Sequence, residues 1–370
     1  SRDWSSDVCS SDLYCGYMTS PQLSLTDAEL VFQTRNDLIE TTHHGIVVVL
    51  SPEGTTDLAL GDMSQPFFAR SALKPLQAIG TLKSGAPLRG AQVAIACGSH
   101  QGTFEQMRAV QDVLQGAGVD ATALLCPTAY PADAHAHEQM VRADLAKTPL
   151  GHPCSGKHAG FLWACAAQLD RSVVDPDSRQ WTMKDYCDPE HPLQRMIAEE
   201  IASFTGEPVG TSGIDGCGAP VAAVSALGLA RAYSTLGTAI RNMDADARAS
   251  TVATAMVDYP ELIQAPGMPD TVLSEQLDAV VKSGAAGVLC VGLRSGASVV
   301  VKISDGATRA AYPVALWALE AAGHLPSEQV QQLLPQVTRP VIGGVQDNAP
   351  REVGRWVPGA DLEPLVGESA

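Results

Sequence analysis

Apolar positions along the chain alternate with polar ones in two distinct periods. HHGIVVVL and TTDLALGD flank Ser51-Pro52-Glu53-Gly54, a turn sequence, and predict a hairpin over residues 43–62. SALKPLQAIGTLKSG has a helical period and stops at Gly85. Proline is tolerated only in a first turn, so Pro75 places the start of that helix close to Ser71. AQVAIACGSHQG breaks at Gly98 and Gly102, and FEQMRAVQDVLQGAG (104–118) is a helix with a glycine stop. Residues 126–153 are loop-rich around a short HAHEQMVRADL helix, with Pro127, Pro131 and Pro153 as breakers. SGKHAGFLWACAAQL and HPLQRMIAEEIASFTG (191–206) return to the helical period.

EPVGTSGIDGCGAP predicts a strand running into a glycine-rich loop. Apolar helices are expected at 220–235 and about 245–258, then loop from 260 to 275, where Pro260, Pro266 and Pro269 fall. The strongest strand signal is 277–307, three short apolar runs separated by glycine turns, which predict an antiparallel meander. AAYPVALWALEAAGH then reads as a helix. This order predicts an α+β class: one antiparallel sheet, from about 30–65 and 277–346, flanked by helices, with a helical region of about 71–275 inserted. Residues 18–370 are expected to form a single unit.

Composition narrows the function. The 370 residues are 45% hydrophobic but only 5% aromatic, so a large core of Ala, Val and Leu is expected. A net charge of −17 argues against nucleic acid or an anionic membrane as partner. No apolar run approaches the ~20 residues that span a bilayer. The opening SRDWSSDVCSSDLYCGY lacks signal-peptide order and resembles translated adaptor sequence ahead of a start at Met18. Residues 1–17 are therefore expected to be a disordered leader. Of nine cysteines, seven lie beyond that leader, scattered and without a CxxC pair, a reduced, cytoplasmic pattern.

Several residues offer chemistry. Ser71 and Lys74 stand at i and i+3 at a helix start, so an amine can face a hydroxyl and act as its base. Ser99, in SHQ, lies in a glycine-flanked break, and Lys282, in KSG, lies on or just after a meander strand. SxxK, Ser-x-amide and K[ST]G, in that chain order, are the signature set of serine β-lactamases and penicillin-binding proteins, with different spacings here. Ser99 and Lys282 are expected to form a second Ser-Lys pair facing the first.

GHPCSGKHAG places Cys154 and Lys157 at another helix start, with His152 and His158 beside them. The helix dipole lowers a thiol pKa there, so Cys154 reads as a nucleophile, a zinc ligand or a packed cysteine. Cys217, two residues after Asp215 in a glycine-rich loop, is its one distant cysteine partner of that kind. Cys97, Cys165 and Cys290 read as core, and His135 and His137 as solvated.

RSALKPLQA, ACGSHQG, CSGKHAG, GIDGCGAP and VVKSGAAGV, in this order, resemble the motifs of the asparaginase II family, the Rhizobium etli type of L-asparaginase. RNDLIETTHHG resembles that family's opening block, and the likeness covers about residues 30–345. The resemblance implies a serine β-lactamase-like fold, a homodimer, and hydrolysis of L-asparagine to L-aspartate and ammonia. It implies two Ser-Lys tandems, Ser71 with Lys74 and Ser99 with Lys282. It also implies a zinc ion held by Cys154, Lys157 and Cys217, with Asp215 beside it and His158 and Arg70 lining the substrate site. That zinc would assist substrate binding. Glutaminase, or another penicillin-recognising type of serine hydrolase, is the alternative. The chain departs from the family at Gly98 (usually Ala), Thr103 (commonly acidic) and Ala286 (commonly Glu), and APGMPDT lacks a basic residue before Asp270-Thr271.

Overall fold

The structure is a computed structural model and describes residues 27–171, 181–346 and 348–367. The expected leader, with Cys9 and Cys15, and the expected start at Met18 lie outside the described residues.

The chain opens with strands β1 (Ala28–Arg35), β2 (Leu38–Leu50) and β3 (Thr56–Leu60). Asn36 and Asp37, both at positive φ, make the tight turn between β1 and β2, as two-residue hairpins require. Strand β4 (Phe67–Phe68) leads into a 3₁₀ turn, Arg70–Leu73, and helix α1 (Lys74–Lys83). Helices α2 (Ala91–Cys97), α3 (Phe104–Gly116), α4 (Ala134–Arg142), α5 (Ser155–Arg171) and α6 (Pro192–Thr205) follow. Strands β5 (Thr211–Ile214) and β6 (Pro220–Val224) precede α7 (Ala226–Ala239), α8 (Ala247–Asp258) and α9 (Pro269–Leu277).

Two expectations fail in this stretch. Residues 220–224 form a strand, because PVAAV pairs on one edge with the distant segment 67–68 and on the other with 211–214, its hairpin partner. The helix starts only after Ser225, whose side chain accepts from Gly228 N and so caps it. Residues 269–277 are a helix rather than loop, and Pro269, read as a breaker, sits in the first helical turn, where proline is favoured.

The meander forms as β7 (Val280–Gly284), β8 (Val288–Gly292) and β9 (Ser298–Ile303), followed by α10 (Thr308–Ala321) and α11 (Ser327–Val337). The chain ends with β10 (Val341–Gln346), β11 (Ala349–Gly354), β12 (Trp356–Pro358) and α12 (Glu363–Gly367). The main sheet runs β12-β1-β2-β9-β8-β7, with β3 also on β2, and its pairs are antiparallel. Residues 341–346 pair with β11 in a separate hairpin, and β12 joins the sheet instead.

The sheet is apolar on both faces. On β2, Ile46, Val48 and Leu50 pack with the helical region, while Val47 and Val49 pack under α10 and α11. The same alternation on β7 puts Val280 on the helical side and Val281 on the other. Lys282 therefore shares the face that looks into the helical region. His135 and His137 are exposed, and Cys97, Cys165 and Cys290 are buried in the core.

Candidate active site

The centre of the site is the turn that joins β4 to α1. Arg70 enters it at φ +54°, a left-handed conformation uncommon for a large side chain. Its guanidinium Nε donates to Asp215 Oδ1 at 2.6 Å, which holds the turn from outside. Gly284 at the end of β7 abuts the turn: a Cβ there would lie 2.6 Å from Ala69 O, so only glycine fits flush. A cleft of about 450 Å³ opens here, lined by Ser71, Ser99, Cys154, Asp215, Gln264 and Ser283 among others. Arg70 and Cys217 also line it, whereas Lys74, Lys157 and Lys282 stand behind its wall.

Lys74 is wholly buried. Its Nζ lies 3.1 Å from Ser99 Oγ and donates to Pro153 O at 3.2 Å and to Gly98 O. The two carbonyls can only accept. Two of the amine's hydrogens therefore go to them, and its third position faces the Ser99 hydroxyl. Lys74 thus pairs with Ser99, and its amine makes no hydrogen bond to Ser71 three residues before it.

The loop carrying Ser99 is fixed from several sides. Ser99 N donates to Ile263 O at 2.7 Å. Gln106 Oε1 accepts from the backbone N–H groups of Gln101, Gly102 and Thr103 at 3.0–3.1 Å, and its Nε2 donates to Glu261 O at 2.7 Å. Thr103 caps α3 in a box with Gln106, which gives a local reason for threonine there. A Cβ on Gly98 would lie 2.4 Å from Leu262 O, so the 262–263 loop occupies the space an alanine would need. His100 is fully buried and donates through Nε2 to Ser155 Oγ at 2.8 Å, tying the serine loop to the start of α5. Burial drives its pKa down to about 3, so it stays neutral.

Lys282 lies on β7 with its Nζ 2.6 Å from Ser283 O and 3.6 Å from Asp270 Oδ2. Burial brings its pKa down to about 8, with Asp270 opposing the fall and Lys74 adding to it. Its amine makes no hydrogen bond to Ser99. Asp270, in the first turn of α9, is itself buried and accepts from Ser283 N at 2.9 Å, Ser283 Oγ at 2.8 Å and Tyr312 Oη at 2.8 Å. Neither Asp270 nor Gln106 was singled out from the sequence as a site residue. The signals were present: Pro269-Asp270 has the composition of a helix start, and Thr103-x-x-Gln106 that of a capping box.

The sulfur side of the cleft comes from two ends. Cys154 directly precedes α5, and Cys217 lies in the β5–β6 hairpin turn with Asp215. Lys157 Nζ donates to Cys217 Sγ at 3.3 Å, and Cys217 Sγ lies 4.0 Å from Asp215 Oδ2. A hydrogen bond from Cys217 holds the Cys154 thiol well below the usual range against the opposing effect of burial, with Lys74 assisting, and Cys217 is pushed up in turn. Burial works to discharge Lys157, but the two sulfurs and Asp215 outweigh it and raise its pKa.

These three donors suit one small cation. A tetrahedral zinc with sulfur at ~2.3 Å and nitrogen at ~2.0 Å sets its ligands about 3.5 Å apart, close to the Lys157–Cys217 contact. Among the described residues no group of three or more His, Cys, Asp or Glu is placed to hold a metal. His158 is placed elsewhere: it is wholly buried, accepts at Nδ1 from Tyr186 Oη at 2.8 Å, and does not line the cleft. Leu125 N donates to the same hydroxyl, which orients that proton toward His158.

The pattern of the L-asparaginase II family matches residues 31–354. The chain belongs to that family. No curated protein matches the chain. Among solved structures, one of Mglu in its tris and glutamate form matches at 15% identity and a TM-score of 0.40. That match covers 81% of this chain, which spans only 64% of the other. No helix among the described residues is long and apolar enough to cross a membrane.

Proposed function

We propose that this member of the L-asparaginase II family is an amidohydrolase that converts L-asparagine to L-aspartate and ammonia through a serine acyl-enzyme. One observation carries the reading: a buried lysine, Lys74, bonded to Ser99 across a shared cleft from Ser71. Ser71 attacks the side-chain amide carbon. Ser99 takes the Ser71 proton and passes its own to the free position of Lys74, and the proton then goes to the departing ammonia. Backbone N–H groups at the start of the 3₁₀ turn lack helical partners and receive the oxyanion. Water then releases aspartate. Lys282, with its lowered pKa, is the second basic group of the site.

Cys154, Lys157 and Cys217 would hold zinc, which would supply fixed positive charge beside the substrate. Lys157 would have to lose its proton to ligate. Arg70 and Asp215 line the substrate end of the cleft. SxxK at the head of α1, facing KSG on β7, supports a serine β-lactamase-like fold. A homodimer, supported by the family resemblance, and a cytoplasmic location, supported by the scattered unpaired cysteines, complete the reading.

The test is ammonia release from asparagine and from glutamine by the chain starting at Met18, with and without chelator. Acid quenching during turnover should leave the mass of an aspartyl group on the peptide that carries Ser71. Absence of ammonia under every condition would overturn the enzyme reading. An adduct on Ser99 would exchange the roles of the serines.

A further inference from the structure

A second cavity of about 520 Å³ lies beside the cleft, and Gln264, Ser283 and Thr308 line both. Its far wall carries Arg309, Arg339 and Trp356. No Asp or Glu is among its lining residues, in a chain with 41 acidic and 24 basic side chains. The ion pairs among the described residues take Arg35, Arg70, Arg142, Arg195, Arg241 and Arg294, and leave out Arg309 and Arg339. Arg309 sits over the Trp356 ring at 5.7 Å, which restrains it at low cost to its charge. The buried indole Nε1–H of Trp356 has no acceptor among the described residues. Asp270, behind the shared wall, is already taken up by Ser283, Tyr312 and Lys282, and Glu352 lines the adjoining cavity rather than this one. Two guanidinium groups unpaired among the described residues, and an orphan donor, in a chamber without acid residues can together donate to a carboxylate.

From this we infer that the chamber is a carboxylate subsite for the amine half of a longer substrate, an asparagine whose side-chain nitrogen is joined to a second amino acid. The inference rests on the amidohydrolase reading and extends its substrate class. The shared wall lets one molecule span both cavities, with its amide carbon at Ser71 and its distal carboxylate at the arginines. The chemistry balances as it does for asparagine. Ser71 Oγ bonds to the amide carbon, the C–N bond breaks, and the serine proton leaves on the amine of the second amino acid. Water then cleaves the ester, giving aspartate and the free serine.

The experiment compares three amides on the full chain: asparagine, β-aspartyl-glycine, and β-aspartyl-glycinamide, which has the same shape without the distal charge. Binding is measured by calorimetry and turnover by amine release. β-Aspartyl-glycine should bind at least about 10-fold tighter than the glycinamide, the worth of one charged hydrogen bond. Arg309→Ala with Arg339→Ala should erase that preference while asparagine turnover stays unchanged. Equal binding of the two longer amides, or a preference that survives the double substitution, overturns the subsite. Asparagine turnover without the preference removes the subsite alone. The preference without any turnover retains a carboxylate site and removes the amidohydrolase reading.

Discussion

Lys74 Nζ lies 3.1 Å from Ser99 Oγ, although Ser71 is the serine three residues before it, in the turn that leads into its helix. In a 3₁₀ turn, residues i and i+3 eclipse, so the two side chains start side by side. The four-carbon stem then carries the amine past Ser71 to the loop after α2. Ser99→Ala should therefore lower kcat as severely as Ser71→Ala, by about 100- to 10,000-fold. Lys74→Met should do the same. Steady-state kinetics on all three variants checks this, and a Ser99→Ala variant with near-parental kcat would refute the relay.

The lowered pKa of Lys282 sets a pH dependence. Activity that needs the free amine should rise with pH through about 8. Asp270 raises the pKa of Lys282, so Asp270→Asn should move that limb to lower pH. Stability follows the same shift. The unfolded chain binds this proton up to about 10.5 and the folded chain only to about 8, so the Lys282 contribution grows more favourable as pH rises across that window. Urea titrations at several pH values should show the rise, and Lys282→Met should remove it.

Asp270 also has a structural load. Asp270→Ala would strip two hydrogen bonds from Ser283, one from Tyr312 and the nearest anion from Lys282. Loss of one member of a buried charged pair costs about 3–5 kcal/mol. Chemical denaturation should read a loss of that size, whereas Tyr312→Phe should cost about 1 kcal/mol, one hydrogen bond.

Lys157→Ala should weaken zinc binding, because the trio has no spare donor among the described residues. Competition with a chromophoric chelator, read without substrate, measures this directly. Undiminished zinc affinity in the variant would remove Lys157 from the ligand set.

Gly98→Ala restores the residue that the family commonly has, yet here it would press on Leu262 O. Overpacking of this kind costs typically 1–3 kcal/mol. The variant should lose stability and, through Ser99, kcat. Moving Leu262 back in a second substitution has no equivalent, because the clash is with backbone.

Much of this arrangement was legible from residue order. Gly85 and Pro75 bounded α1, and glycine spacing marked the meander, because these signals act within a few residues. Ser71, Ser99, Cys154 and Cys217 were readable as chemistry for the same reason, and the structure gathers them at one cleft. What escaped depends on distant partners. PVAAV became a strand held between its hairpin partner Thr211–Ile214 and the distant Phe67–Phe68. Trp356–Pro358, three residues long, carries no periodic signal and is held by β1. The choice of Ser99 by Lys74 is likewise a matter of where the α2–α3 loop is pinned, chiefly by Gln106 and the 261–264 carbonyls.

The β4–β6–β5 sheet joins Ser71 to Cys217, and β7 closes on the same turn only after some two hundred further residues have been laid down. A nascent chain that has emerged through α8 already owns both serines, Lys74 and both cysteines. It lacks Lys282, Asp270 and the strand whose Gly284 presses the Ser71 turn into place. Such a fragment would be catalytically silent. Appearance of turnover during refolding would therefore time the docking of the last third of the chain, and an activity assay would double as a clock for that event.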